Sequence, residues 1–259
     1  MKKNIAGTGI QILREEGIRS FSSKALAYVK GRLGFFALPY ALLRIKALDR
    51  YRALNRLVDF SFKDCAGLIR PAQVQSEVSE FLEVISRVKP KVILEIGTAS
   101  GGTLFLFSRV ASVDATMMSI DLPGGRFGGG YPAWKTPLYR SFALPGQEIH
   151  LIRADSHKAD TLGQVKTILD GRGIDFLFID GDHTYEGVKM DFEMYGPLVK
   201  EGGIIAFHDI VAGEWESVGG VPQFWCEVRN CHPDKGTEIV RDRSQGGFGI
   251  GLLYVARAR

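Results

Sequence analysis

A chain of 259 residues that is 45% hydrophobic and 24% charged suits one large globular domain, or one domain with an appendage. Its three cysteines, Cys65, Cys226 and Cys231, form no even framework. That sets aside a disulfide-stapled secreted scaffold and favours a reducing, cytoplasmic setting. The net charge of +4 conceals an asymmetry, because residues 1–70 hold 14 Lys/Arg against 5 Asp/Glu and the remainder 19 against 24. A leader of net +9 on a body of net −5 marks two functional zones.

The start, Met1-Lys-Lys-Asn-Ile-Ala, is basic, but no apolar core and small-residue cleavage site follow it. The uncharged stretch 33–43 is broken by Gly34 and Pro39 and falls short of the ~20 residues that span a bilayer. The expectation is a protein neither secreted nor transmembrane. Residues 10–58 read as helices, with Leu42, Leu43, Ile45, Leu48, Tyr51, Leu54 and Leu57 at helical spacing after a break at Pro39. Two roles stay open for this basic region, residues 1–70. It is a helical cap on the rest, or an amphipathic surface that makes peripheral contact with anionic membrane. No motif for nucleic acid is present, and none is expected as a partner.

From residue 73 the pattern changes. Gln73 to Val88 is an amphipathic helix with Val74, Val78, Phe81, Leu82, Ile85 and Val88 on one side, stopped at Lys89-Pro90. Strands are expected at 92–96, 115–120, 149–152, 176–179 and 203–207. Helices are expected between them at 103–110, 159–169 and 185–198. This alternation predicts an α/β fold with a parallel sheet covered on both faces. Residues 123–147, rich in glycine and aromatic residues, read as a lid loop held by Tyr131, Trp134 and Tyr139, with Arg126 and Lys135 able to meet an anionic group. Gly219 to Trp225 is a further candidate for the rim of a pocket. Residues 238–241 and 248–255 complete the pattern as two last strands. Cys226, Cys231 and His232 offer too few ligands for a zinc site.

Open parallel sheets bind ligands at the carboxyl ends of their strands. Acidic residues recur there: Glu95, Asp121, Asp155, Asp180 and Asp209. Five like charges on one rim repel, so they need ligand hydroxyls, amines or a cation to offset them. Gly97 and Gly101 flank the first strand-to-helix turn, where glycine lets backbone approach a ligand. An acid after the second strand suits a ribose diol, a device that NAD enzymes share. Against NAD stand the glycine spacing, Gly97-x-x-x-Gly101-Gly102, and the acid Glu95 inside the first strand.

The run Glu95-Ile-Gly-Thr-Ala-Ser-Gly-Gly-Thr103 is similar to the first motif of class I methyltransferases, in the form of the catechol-type O-methyltransferases. Phe178-Ile-Asp-Gly-Asp-His-Thr-Tyr-Glu-Gly-Val188, followed by Gly202-Gly-Ile-Ile-Ala-Phe-His-Asp209, resembles methyltransferase family 24, related to cephalosporin-hydroxylase-like and macrocin-type sugar O-methyltransferases. The likeness spans about residues 75–255 and leaves out 1–70.

The resemblance implies a three-layer, Rossmann-like methyltransferase domain over 71–259, with an antiparallel C-terminal hairpin and the helical extension 1–70 before it. It implies S-adenosylmethionine (SAM) as cofactor, held by Glu95, Gly97, Thr98, Ser100, Gly101, Thr103, Asp121, Asp155, Ser156 and Asp180. It implies O-methylation of a small-molecule or glycan hydroxyl. His183, whose free pKa is about 6.5, reads either as the base that takes the acceptor's proton, with Asp180 as its catalytic partner, or as a histidine at a helix start. By analogy with the metal-dependent relatives, Asp180, His208 and Asp209 become ligands for Mg²⁺ or another divalent cation. His208 departs from the all-carboxylate pattern. Asp182 is expected to cap the helix that follows it. The alternatives are an NAD-binding protein and a non-catalytic protein that retains the fold.

Overall fold

The computed structural model describes residues 34–48, 53–124 and 130–256. Arg126 therefore lies outside the described residues, as does most of the basic leader. Residues 34–46 form helix α1, followed by α2 (Leu54–Lys63) and α3 (Gln75–Val88). The alternating part runs β1 (Val92–Ile96), α4 (Gly102–Val110), β2 (Thr116–Ile120), α5 (Thr136–Arg140), β3 (Glu148–Ile152), α6 (Ala159–Leu169), β4 (Ile174–Ile179), α7 (Tyr185–Tyr195) and β5 (Val199–His208). It closes with α8 (Trp215–Val218), α9 (Val221–Cys231), β6 (Gly236–Ile239) and β7 (Ile250–Tyr254).

The seven strands form one sheet in the order β3-β2-β1-β4-β5-β7-β6. The first five are parallel, and β7 pairs antiparallel with both β5 and β6. This is the three-layer fold with a C-terminal antiparallel hairpin that the sequence predicts. The chain reverses its direction of strand addition between β1 and β4, which opens a crevice at their carboxyl ends.

Each central strand is buried on both faces, so its apolar run is continuous and successive side chains enter opposite layers. In β4, Phe176 and Phe178 join the layer of α2, α3 and α4, while Leu177 and Ile179 join that of α6, α7 and α9. Phe81, Phe107, Phe176 and Phe178 form an aromatic knot in the first layer, with Phe107 and Phe176 centroids 5.0 Å apart. Ala41 and Ile45 of α1 and Leu57 and Val58 of α2 belong to that same layer. Arg44 grips Asp64 with Nε 3.0 Å from Oδ1 and Nη2 2.5 Å from Oδ2, fixing α1 to the end of α2.

Two expectations change. Residues 130–147 are packed chain rather than a lid. Tyr131 and Tyr139 are buried, and so are Leu138 and Phe142. The physical reason is a short helix, α5, that points Leu138 and Tyr139 inward beneath the β1–α4 turn. Lys135 is likewise taken up, its Nζ donating to the Leu68 carbonyl at 2.8 Å, and burial lowers its pKa to about 8. The strand expected at 203–207 begins earlier, at Val199, and shifts register against β4 between Ile174 and Phe176. The glycines at 202 and 203 hid that first half.

Candidate functional site

The β1–α4 turn carries the site's floor. Gly97 has φ +95°, and a Cβ there would lie 1.9 Å from the Asp180 carbonyl oxygen; the turn can close on β4 only without a side chain. Gly101 has φ +82°, and a Cβ there would meet the Tyr139 ring at 2.6 Å. Tyr139 in turn donates its hydroxyl to the Ala99 carbonyl at 2.8 Å, so the packed 130–147 segment props the turn from behind.

Glu95 is fully buried under this turn. Thr103 donates to its Oε1 at 2.5 Å, Ser119 approaches Oε2 at 3.5 Å, and the Thr98 hydroxyl bonds that of Ser119. Burial pushes the Glu95 carboxyl up to about 8, so it is neutral at pH 7. Ser100 donates to the Arg70 carbonyl at 2.6 Å. Glu95, Thr98, Ser100 and Thr103 are thus wired into the turn itself.

A groove of about 230 Å³ opens over the strand ends. The residues from the predicted cofactor set that line it are Gly97, Asp121, Asp155, Ser156 and Asp180, and His183 lines it too. Asp121 accepts the Ala99 N–H at 2.7 Å and sits at the end of β2. Burial raises its pKa, opposed by backbone N–H bonds from Ala99, Gly130 and Thr98. Leu122, 46% exposed, offers an apolar wall beside it.

The β3–α6 turn is braced from α7, which the sequence did not disclose. Asp155 accepts the His157 N–H at 3.0 Å. His157 Nε2 lies 3.3 Å from the buried Asp191, and Tyr195 donates to the Ser156 carbonyl at 2.6 Å. The hydrogen bond to Asp191 raises the His157 pKa against the cost of burial.

At the ends of β4 and β5 two carboxylates meet two imidazoles. His208 Nδ1 is 3.2 Å from Asp180 Oδ1 and 3.3 Å from Asp209 Oδ1. His183 Nε2 is 3.7 Å from Asp180 Oδ1, and its Nδ1 is 3.5 Å from Asp209 Oδ2 and bonded to the Ser217 carbonyl. Burial works against charge on both rings, but the carboxylates prevail: His183 rises to about 8 and His208 to about 10. Burial likewise opposes ionisation of Asp180, and the two imidazoles overcome it, holding the carboxyl well below the usual carboxylate range.

Among the described residues, the ligand atoms that converge within 4.8 Å are those of Asp180, His183 and Asp209. His208, expected to share in a metal site, is only 4% exposed and stands behind the two carboxylates with Nε2 buried and unbonded. Asp182 accepts the Thr184 N–H at 2.8 Å, and it is Thr184 that caps α7 by accepting the Gly187 N–H at 3.0 Å.

Gln73 reaches this cluster directly and Glu77 reaches the loop behind it, neither with any local signal in sequence. Gln73 Nε2 donates to Asp180 Oδ2 at 2.9 Å. Glu77, 2% exposed, accepts from Arg241 N at 2.8 Å, Gln245 Nε2 at 2.9 Å and Gly249 N at 3.0 Å. It thereby fixes the turn in which Phe248 N donates to Asp209 Oδ1 at 3.0 Å. Asp209 and Phe248 both sit at φ +61°, a strained pair that this network holds. Gly220 N donates to the His183 carbonyl at 2.8 Å, so the start of α9 braces the site while Phe224 and Trp225 lie in the core.

Comparison with known proteins bears on the fold that carries this site. Residues 94–210 match a family model described as a methyltransferase domain, of family 24. An uncharacterised protein of Acanthamoeba polyphaga mimivirus is 29% identical over 161 residues, 57% of this chain and 70% of that one. An uncharacterised protein of Sinorhizobium fredii is 26% identical over 153 residues, 58% of this chain but 16% of that protein, so the chain spans about a sixth of its length. Among solved structures, the O-methyltransferase TomG from Streptomyces achromogenes, involved in tomaymycin synthesis and in complex with SAM, superposes with a TM-score of 0.53 at 18% identity, over 85% of this chain and 96% of that one. An O-methyltransferase from Bacillus cereus in complex with SAH gives 0.51 at 20% identity, over 78% and 90%. A putative caffeoyl-CoA O-methyltransferase from Staphylococcus aureus gives 0.54 at 17% identity, over 78% and 92%.

Proposed function

We propose that the chain is a class I methyltransferase of family 24, whose domain model matches residues 94–210, and that it moves the methyl group of SAM onto a hydroxyl oxygen of a small molecule or glycan. The observation that carries this reading is the groove joining Asp121 and Asp155 to Asp180 and His183 across the strand ends. Asp121 suits a ribose diol, Leu122 and the 154–157 turn suit a base, and Asp180 and His183 stand at the far end, where an acceptor would meet the sulfonium.

The reaction forms one C–O bond and breaks one C–S bond, with the acceptor's proton going to a base. His183 is that base. It lines the groove, its Nδ1 is engaged by the Ser217 carbonyl, and its Nε2 faces Asp180. The proton it takes is stabilised by Asp180 and Asp209. The other groups align donor and acceptor, which is the larger part of catalysis for an in-line displacement.

The convergence of Asp180, His183 and Asp209 within 4.8 Å supports a second reading, in which these three hold a divalent cation. An ion held there would supply Lewis acidity that lowers a hydroxyl pKa. His183 and His208 would give up their protons on its arrival, so ion and proton compete for the cluster. The location that goes with either reading is cytoplasmic, with residues 1–70 in peripheral contact with anionic membrane.

Calorimetry with SAM and with NAD, then turnover against a panel of hydroxyl acceptors with Mn²⁺ or with EDTA, tests these readings. SAM binding without NAD binding, and methylated product, are expected. Full turnover in EDTA leaves His183 alone as the proton acceptor. Binding of NAD in place of SAM, or SAM binding with no turnover on any acceptor, overturns the proposed activity.

A further inference from the structure

We infer that the outward face of α1 is a docking surface for an anionic membrane. The helix is apolar on two sides. Ala41 and Ile45 turn inward and are 0% and 4% exposed. Phe36, Tyr40 and Leu43, spaced by four and three residues, share the opposite side and are 76%, 50% and 67% exposed. Pro39 lies exposed in the same strip, and Phe35 flanks it, 52% exposed with its ring edge-on to Trp134 at 6.0 Å.

The exposed charges of the helix, Arg44 and Lys46, flank this strip rather than occupy it, whereas a water-facing helix normally carries its charges on the side away from the core. Grouped aromatic side chains on a surface mark an interaction site rather than the scatter of single exposed residues that any protein shows.

Charge selects the occupant. Residues 1–70 carry a net of +9 against −5 for the remainder, and Lys46 is exposed at the end of the helix. A two-fold contact with a second copy would bring two such basic regions together, at a repulsive cost. An anionic headgroup layer neutralises them instead, while Phe and Tyr settle at the boundary between headgroups and acyl chains. No helix among the described residues is long and apolar enough to cross a membrane, so this helix lies along the surface. The inference rests on the membrane contact proposed for residues 1–70 and gives that contact its residues.

The test uses the full chain, sedimented with vesicles of phosphatidylcholine alone or with phosphatidylglycerol added, at low and physiological salt. The comparison is a double variant, Phe36→Asp with Leu43→Asp; Phe36→Ser with Leu43→Ser replaces it if the first does not fold. Binding to the anionic vesicles that fades with salt is expected, with at least a ~10-fold loss of partition in the double variant. The variant's melting temperature and SAM affinity should match those of the wild type.

If the intact chain binds neither vesicle, the membrane contact and this surface both fail. If it binds and the double variant binds equally, the membrane contact stands on other residues and the α1 face is overturned. A change of particle mass in the variant with unchanged vesicle binding assigns the face to a second copy. A lowered melting temperature with unchanged vesicle binding assigns it to another part of the chain. Either result overturns the inference.

Discussion

Replacing Glu95 with Gln should stabilise the protein, and increasingly so as pH rises. Glu95 is fully buried, with Thr103 donating to Oε1 at 2.5 Å and Ser119 at 3.5 Å from Oε2. Its pKa is raised from 4.5 to about 8, chiefly by burial, with Asp180 and Asp121 adding repulsion. A raised folded pKa means that the native state holds the proton more tightly than the unfolded chain does. The stabilisation from this group is then fully present below about 4.5 and is lost as pH rises through about 8. At about 1.4 kcal/mol per pH unit, roughly 3 kcal/mol is lost by pH 7 and about 5 kcal/mol above pH 8, as a ceiling that water in the adjoining groove reduces. Gln keeps the acceptor for Thr103, offers N–H to Ser119 and does not titrate. Urea denaturation of both proteins from pH 4.5 to 8.5 isolates the group, because every other titration cancels in the difference. The variant should gain on the wild type across that window, reaching about 2–4 kcal/mol at pH 8.5, or several degrees in melting temperature. A difference that stays flat would mean that Glu95 ionises normally in a hydrated place, and the reading of it as a neutral strut beneath the turn would be wrong.

Asp121→Ala should weaken SAM binding by about 1.5–3 kcal/mol in calorimetry, since the ribose hydroxyls lose a charged acceptor; unchanged affinity in a folded variant removes Asp121 from the site. With His183 raised to about 8, methyl transfer measured in EDTA should climb with pH and level off above about 8, because the base form appears as the ring loses its proton. His183→Gln should flatten that limb and cut the rate by about 10²–10⁴ while leaving SAM affinity nearly untouched; a preserved limb identifies another base. Glu77→Ala strands the Arg241, Gln245 and Gly249 donors and should cost about 2–4 kcal/mol in urea denaturation. Its rate should fall further than its SAM affinity, as Phe248 releases Asp209, and equal losses in both would refute that route.

The sheet was legible because its strands are short apolar runs bounded by glycine, proline or charge, and because parallel topology brings every strand's carboxyl end to one rim. Knowing that rule, one can read Asp121, Asp155, Asp180 and Asp209 as neighbours although 88 residues separate the first from the last. The hairpin was legible in kind but displaced at both strands. Residues 240–249 belong to the turn wrapped on Glu77, and nothing nearby in sequence signals that contact. Within 123–147, the described part 130–147 departs from the expected lid. Leu138, Tyr139 and Phe142 carry a helical spacing that the glycines and Pro137 obscure. The choice between His183 and His208 was out of reach for a different reason. His208 and Asp209 are adjacent, which suggests one pair of ligands. Yet both imidazoles reach the two carboxylates, His208 from inside β5 and His183 from the β4–α7 turn, and only His183 lines the groove.

Helices α1 and α2 and the carboxyl end of the sheet are not independent in this architecture. α1 and α2 fill the same apolar layer as α4, whose first residue closes the β1–α4 turn. Arg70 accepts from Ser100 in that turn, Gln73 holds Asp180, and Glu77 holds the loop that orients Asp209. These contacts fall within eight residues of sequence, at the junction between the basic leader and the acidic body. The packing of α1 and α2 ties these two helices to the sheet's first apolar layer, and the contacts of Arg70, Gln73 and Glu77 tie the segment that follows them to the strand ends.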